Sequence, residues 1–404
     1  MNTQTKKALK SHEDVLEAIA EAIDIPEHLD QAARERYQSI GEWLDRENST
    51  IKQYDPEVSP QGSFLLGTVI RPVGDADQYD IDLVCTLNGS KTKFTMASLK
   101  EAVGDEIIGY AAAHGMKKKP EDCRRCWTLE YSDSARFHMD ILPALPDEAS
   151  YRVLLEKRGD VALASNQRIR KEAIAITDKK YPQFHIHCDD WPISNPKGYA
   201  VWFRSRQAEV AYARKRSLME RERIYASVDD VPDHKVKTPL QRAIQLLKRH
   251  RDTMFEGDED KPISIIITTL SAHAYNGEQT ISAALRSILK SMHLHIEDRN
   301  GVKWVPNPVN PDENFADKWA ENPKKEAKFV EWLERAQRDF GTYLTGNFGR
   351  IPAELQKSLS ETTLAKVTPL IALSAPAIVS SPNAALAEAE RIKSQGGATK
   401  PWCR

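Results

Sequence analysis

Apolar residues recur every three to four positions from residue 11 to residue 50, and that period predicts helix. Val15, Ile19 and Ile23 form a first stripe, Pro26 interrupts it, and Leu29, Ala33, Tyr37, Ile40 and Trp43-Leu44 resume it. These positions read as a packing face with no chemistry of its own. After Ile51 the period shortens to two, so residues 63–70, 79–87, 126–131 and 137–142 read as strands, with an amphipathic helix over 99–114. Residues 146–195 form a long polar connection with a helical stretch near 166–176. Asn195-Pro196-Lys197-Gly198 is a turn signal, and the lobe boundary is placed beside it. A basic helix over 204–225 comes next. Thr238-Pro239 supplies a cap and a proline at the first helical position, so a helix starts there with Leu240, Ile244 and Leu247 as its buried stripe. Lys248 falls beside that stripe, at the edge of any cleft. Periodicity leaves 263–270 open between strand and helix. Residues 307–317, rich in Pro and Asn, read as a loop. Helices are expected over 319–344, with Phe329, Trp332-Leu333, Ala336 and Phe340 on one face, and over 352–367. From about Ser374 the chain turns Ala/Ser/Pro-rich, which predicts a mobile tail.

Composition narrows the class. With 404 residues there is room for one large bilobed domain or two ordinary ones. The expected division is 1–195, 196–375 and a tail over 376–404. Five cysteines at irregular spacing argue against a secreted disulfide scaffold, and MNTQTKKALKSHED lacks a signal-peptide core. No apolar run approaches the roughly 20 residues of a bilayer span. A cytoplasmic protein with no membrane contact is expected. The formal net charge of −2 gives no global pull toward nucleic acid, so no obligatory nucleic-acid partner is expected and any basic surface must be local. Such a surface lies over 201–225, where seven Arg/Lys stand against three Glu, a net +4. Most such runs are solvated helix faces, the alternative being triphosphate neutralisation or partner binding.

Chemistry concentrates in QGSFLLGTVIRPVGDADQYDIDLV, from Gln61 to Val84. Gly62-Ser63 offers backbone N–H groups and a hydroxyl with no bulky side chain in the way, a combination that can close on phosphate oxygens. Asp80 and Asp82, two apart in a strand, project from one face and can hold Mg²⁺, a hard cation that takes oxygen ligands. Asp140, alternating with Phe137, Met139 and Ile141, supplies a third acid as general base or metal ligand. Each acid alone reads as a solvated strand position. Their order is far narrower, and it points to metal-assisted nucleotidyl transfer. Arg71-Pro72 and Gly74 lie between the two motifs, where Arg71 either touches triphosphate or simply shapes the turn. Cys123-x-x-Cys126, with His185, His187 and Cys188 downstream, admits a zinc reading in which the two histidines share a strand face. Against it, Cys126 alternates with Thr128 and Glu130 as a small buried residue would.

The order Gly-Ser, DxD, Asp resembles the polymerase-beta-like nucleotidyltransferase superfamily. GTVIRP, DIDLV and HMDILPA resemble the bacterial CD-NTases in particular, relatives of cyclic GMP-AMP synthase and oligoadenylate synthase. SNPKGYAVWF, TPLQRAIQLLKRHRD, KPISIIITTLSAHAY and NPVNPDENFADKW extend the likeness, which runs from about Tyr37 to Trp319. The resemblance implies an α/β plus α fold, a polymerase-beta-like sheet lobe packed against a helical C-terminal lobe. It also implies a bracing N-terminal helix and a helical 263–270. Two Mg²⁺ ions would sit on Asp80, Asp82 and Asp140, and Gln61, Gly62 and Ser63 would hold triphosphate. Lys248 and Ser264 match phosphate-contacting residues, the bland alternatives being an exposed helical lysine and an N-cap after Pro262. Asn314-Phe315 and Asp317 resemble a substrate-facing turn. The implied function is synthesis of a cyclic di- or trinucleotide from nucleoside triphosphates, ATP ahead of GTP, that switches on an antiphage effector. A protein partner that activates the enzyme or conjugates its C-terminus is also implied, although Arg404 departs from the small terminal residue conjugation uses. Two rivals stay open. One makes linear products on RNA or protein and would be expected to carry a larger basic track. The other is a silent nucleotide-binding module, which would not need three mutually repelling acids.

Overall fold

The computed structural model describes residues 9–73, 78–131, 137–223, 225, 227–231, 235–351, 353–357, 359 and 361–372. Gly74, the tail from 376 and Arg404 therefore lie outside the described residues. The chain opens with α1 (His12–Ile23) and α2 (Glu27–Leu44), broken by Pro26. There follow β1 (Glu57–Pro60), α3 (Gly62–Leu66), β2 (Tyr79–Thr86), α4 (Met96–Ala113), β3 (Glu121–Asp122), β4 (Trp127–Glu130) and β5 (Phe137–Pro146). Next come α5 (Glu148–Arg158), α6 (Val161–Ser165), α7 (Gln167–Arg170), β6 (Ile174–Ile176) and β7 (Ile193–Ser194). The helical part holds α8 (Pro196–Ser205), α9 (Ala208–Glu222), α10 (Pro239–Met254), α11 (Ser264–Ala274) and α12 (Ile281–Ser291). It continues through β8 (Glu297–Arg299), β9 (Val302–Trp304), β10 (Pro306–Asn307) and β11 (Asn310–Asn314) to α13 (Asp317–Glu321), α14 (Pro323–Thr345), α15 (Ala353–Lys357) and α16 (Glu361–Ala372). Among the described residues no helix is long and apolar enough to cross a membrane.

Strand order in the seven-stranded sheet is β1-β2-β5-β4-β3, with β6 on β5 and β7 on β6. Among the described residues only the central pair of this sheet, β2 and β5, is parallel. Alternation decides what each face carries. Tyr79, Ile81, Leu83 and Cys85 of β2 and Phe137, Met139 and Ile141 of β5 are buried in a core covered by α2 and α4. On the other face stand Asp80, Asp82, His138 and Asp140, and further along the same strands Val84, Leu142 and Ala144 pack against Ile174 and Ile176 of β6. One face is thus polar only at its leading edge.

A second core gathers α1, α10, α11, α12 and α14 around Trp332, Phe329, Phe340 and Tyr343. Because α1 buries into this core and α2 into the other, the N-terminal pair bridges the two. Arg242 of α10 anchors α1 in the second core, its Nε donating to Glu17 at 2.9 Å and its Nη1 to Asp24 at 2.8 Å.

Four sequence expectations change. Residues 63–70 are not a strand but the short helix α3 and a following turn. Gly62 and Gly67 both take left-handed φ (58° and 67°), so the chain enters and leaves one helical turn, and so short an apolar run fits either period. The 166–176 stretch ends in β6, because Ile174 and Ile176 cover the apolar end of the sheet face. Asn195-Pro196 is a helix start, with Asn195 Oδ1 accepting from Gly198 N at 2.8 Å. Residues 307–317 form the β10–β11 hairpin and open α13, and the turn is built by Asn side chains. Asn307 Oδ1 accepts from Val309 N at 2.9 Å and Asn310 Oδ1 from Asp312 N at 3.3 Å. Helix 263–270 is as the resemblance implied.

One half-buried imidazole makes stability pH-dependent. His273 packs between the Trp202 ring (4.9 Å) and the His295 ring (5.4 Å). Burial pushes it down from 6.5 to about 4, with His295 and Arg206 adding to the shift and Glu297 opposing it. The fold holds the ring neutral while the unfolded chain takes up a proton, so the His273 contribution is complete above 6.5 and is lost as pH falls toward 4. We expect a loss on the order of 2 kcal/mol by the bottom of that window. His273→Gln should flatten this limb of the denaturation midpoint plotted against pH, and an unchanged slope would clear His273 as the cause.

Candidate active site

The strand pairing brings the acids together. Asp82 of β2 stands opposite Asp140 of β5 in register, and Asp80 sits two residues before Asp82 on the same face. Asp140 accepts a short hydrogen bond from the Thr128 hydroxyl, and His138 Nε2 lies 3.4 Å from its Oδ1. Burial pushes the Asp82 carboxyl up to about 6, and the charges of Asp140 and Asp80 push the same way against Lys248 and His138. Asp80 is raised by burial too, with Asp140 adding and His138, Lys261 and Lys248 opposing. Crowded acids with raised proton affinity are a site awaiting positive charge.

Helix α3 is stacked directly on this pair. Gln61 N donates to the Asp82 carbonyl at 2.8 Å, which fixes the start of the helix. Gly62 follows, and a Cβ at that position would stand 2.3 Å from Asp82 Oδ2. Only glycine fits, on both conformation and space. Ser63 is then held at the mouth of a cleft of about 640 Å³ that Gly62, Asp80 and Asp82 also line.

Helices α10 and α11 form the opposite wall. Lys248 is only 4 % exposed, and its Nζ donates to the Thr68 carbonyl at 2.9 Å, one turn beyond α3. Burial lowers its pKa to about 8, Arg251 lowers it further, and Asp252, Asp82 and Asp80 resist. It therefore remains a cation at neutral pH. Ser264 is the first residue of α11 and not its cap. That role falls to Ile263, whose side chain caps nothing, so the leading N–H groups of α11 meet the cleft without a side-chain acceptor.

Comparison with known proteins fits this geometry. Residues 56–143 match the family described as cyclic GMP-AMP synthase DncV-like, nucleotidyltransferase domain. A protein of Roseivirga ehrenbergii named c-di-GMP synthase is 28% identical over 340 residues, 83% of this chain and 80% of that one. The chain resembles the CD-NTases. Its fold matches the Bradyrhizobium diazoefficiens CD-NTase CdnG, solved in complex with GTP, at a TM-score of 0.65 and 22% identity, covering 89% of this chain and 98% of that one. It also matches the E. coli MS115-1 CdnC in a CdnC:HORMA-deltaN complex at a TM-score of 0.56 and 13% identity, covering 87% and 97%.

Of the residues singled out from the sequence, Gly62, Ser63, Asp80, Asp82, Lys248 and Ser264 line one cleft. Gln61 lies behind it as the residue before α3, and Asp140 reaches the group from the neighbouring strand. Asp317 does not line the cleft. It opens α13, exposed and 3.5 Å from Lys318 Nζ, and its charge is felt by Arg124 of the β3–β4 hairpin and by Glu313 of β11. Arg71 lines the cleft, yet its Nε donates to the Asp24 carbonyl at 3.1 Å, so it holds its turn as well. Among the described residues none of the α9 cations lines the cleft. Arg214 ties α9 to the Lys237 carbonyl at 2.8 Å and Arg216 pairs with Glu220 at 2.9 Å, the solvated-face reading.

Sequence reasoning missed two cations of the cleft wall, Arg251 and Lys261. Arg251 follows Lys248 by three positions, and that i,i+3 spacing was the available signal. Lys261, just before Pro262, carries none.

The zinc reading finds no support. Cys123 and Cys126 flank the turn of the β3–β4 hairpin, Cys123 N donating to Cys126 O at 3.1 Å. His185 and His187 lie in turn and irregular chain, so they share no strand face, and Cys188 Sγ is turned to the Asp190 carbonyl at 3.5 Å. Among the described residues no three His, Cys, Asp or Glu side chains, the three acids included, are already drawn into a ligand cage. The acids nonetheless fit a hard divalent cation in kind. They offer oxygen donors only, on one face, with a repulsion that such a charge relieves.

Proposed function

We propose that this chain joins nucleoside triphosphates into a cyclic dinucleotide second messenger. The observation that carries the reading is the stack of Gly62 on Asp82, with Asp82 in register with Asp140 and buried Lys248 across the cleft. The names of its relatives put GTP ahead of ATP as the first substrate to offer. A trinucleotide product would use the same site.

Each residue has a part in this reading. The Gly62 and Ser63 N–H groups and the Ser63 hydroxyl hold phosphate oxygens, while Lys248 and Ser264 neutralise and orient the triphosphate from the other wall. Asp80, Asp82 and Asp140 would hold two Mg²⁺ ions, which when bound would supply positive charge for the attacking ribose hydroxyl and the departing pyrophosphate. Asp140, kept in place by Thr128 and His138, would act as general base toward the acceptor hydroxyl or as a ligand to the metal that activates it. We read 1–195 and 196–375 as the two lobes, supported by the two cores, although α1, Leu66 and the segment carrying Tyr151, Leu155, Ile169 and Ala173 pack into the second core. A cytoplasmic role in antiphage signalling, with an activating protein partner, completes the proposal. The HORMA complex of CdnC is the relative that suggests the partner.

Chelation tests the metal requirement. EDTA is expected to abolish the phosphatase-resistant product formed from GTP, and excess Mg²⁺ to restore it. Product formed at full rate in EDTA would contradict the role given to the acids.

A further inference from the structure

Arg251 sits in the last turn of α10, 5 % exposed, and all its resolved bonds run within the cleft wall. Its Nε donates to Asp252 Oδ1 at 2.8 Å, and its Nη1 donates both to the Pro262 carbonyl at 2.8 Å and to Ser264 Oγ at 3.0 Å. A guanidinium can only donate, so the Ser264 oxygen is the acceptor in that contact. The hydroxyl is left with its own proton to give. Among the described residues that proton has no acceptor, while Ser264 itself lines the cleft. Asp252 matters as well. By pairing with Arg251 it lets a cation be buried here, and it ties the same corner to Lys261 Nζ at 3.6 Å.

We propose that Arg251 is a positioning residue for triphosphate, fixing Ser264 as a hydrogen-bond donor aimed at an anionic phosphate oxygen. This rests on the nucleotidyltransferase reading of the cleft and names how one of its contacts is set. A serine free to rotate would spend part of its time donating to water or to a backbone carbonyl. Held by Arg251, it has one productive orientation, and the restriction strengthens the contact to phosphate by the orientational freedom already lost. The ligand group recognised is the β/γ end of a nucleoside triphosphate, and a nucleoside monophosphate lacks it.

The test is a double-mutant cycle on binding of a nonhydrolysable GTP analogue by calorimetry, using the full chain with Arg251→Met, Ser264→Ala and the double variant. Each single change is expected to weaken binding roughly tenfold to a hundredfold, the range for a hydrogen bond to a charged group. The double variant is expected to bind about as weakly as either single one, and GMP binding to change little in all three. Arg251→Lys, which keeps the charge and can still reach one acceptor, should recover part of the loss. It takes the place of Arg251→Met in the cycle if the methionine variant does not fold. A purely structural Arg251 gives the opposite pattern, with the same weakening in the Ser264→Ala background and equal losses for GMP, and either result overturns the proposal. A wild-type chain that binds no triphosphate would instead overturn the functional reading on which it rests.

Discussion

Replacing Asp82 by Asn is expected to lower nucleotidyl transfer by at least about a thousandfold, since charge placement dominates phosphoryl-type transfer. The same change should leave the fold at least as stable as the parent. Asp82 is held up to about 6 by burial and by Asp140 and Asp80. A carboxyl raised in this way destabilises the ionised fold above that value, and the cost fades as pH falls toward the unfolded value of 3.8. Asparagine keeps the shape without the charge. In metal-free buffer near pH 7.5 the variant should therefore gain on the order of 2 kcal/mol. Melting with and without Mg²⁺ checks both halves, because the cation should stabilise the parent and not the variant. A variant that is both inactive and less stable would mean that Asp82 is structural.

Gly62→Ala carries the second large effect, and here activity and stability should fall together. Gly62 has φ 58° and its missing Cβ would lie 2.3 Å from Asp82 Oδ2. Alanine in the left-handed region costs about 1–2 kcal/mol before any contact is counted. The contact then has to be relieved by moving either α3 or the Asp82 carboxylate, the two parts that must stay in register. A shift of about 1 Å at a reacting group can cost on the order of a hundredfold in rate. We expect that loss or more in turnover, with a lower denaturation midpoint. Near-parental turnover would show that the stack of α3 on β2 is not needed for chemistry.

The acids were legible in the sequence because strand alternation is a local property, and Asp80, Asp82 and Asp140 needed only their own neighbours to be placed on one face. Parallel pairing of β2 with β5 then put Asp82 opposite Asp140, a long-range fact that no window of sequence contains. Thr238-Pro239 was equally plain, as its cap bond to Gln241 N at 3.3 Å is local chemistry. The GSFLLG run misled for the opposite reason. Gly62 was read for its smallness alone, while the left-handed φ of Gly62 and Gly67 brackets the run as a single helical turn. The 307–317 segment looked like a loop because Asn and Pro disfavour strands, yet the same Asn side chains build the hairpin turn. Arg251 was overlooked since its value depends on Ser264, thirteen residues later and on another helix.

The most direct test of the central claim offers the purified chain all four labelled nucleoside triphosphates with Mg²⁺, alongside an Asp80→Asn/Asp82→Asn control, and resolves the phosphatase-treated products by chromatography and mass spectrometry. The expected result is a phosphatase-resistant species with the mass of a cyclic dinucleotide, formed from GTP alone or with ATP and absent from the control. Identical product profiles from parent and control, with candidate protein activators and RNA acceptors supplied, would contradict it.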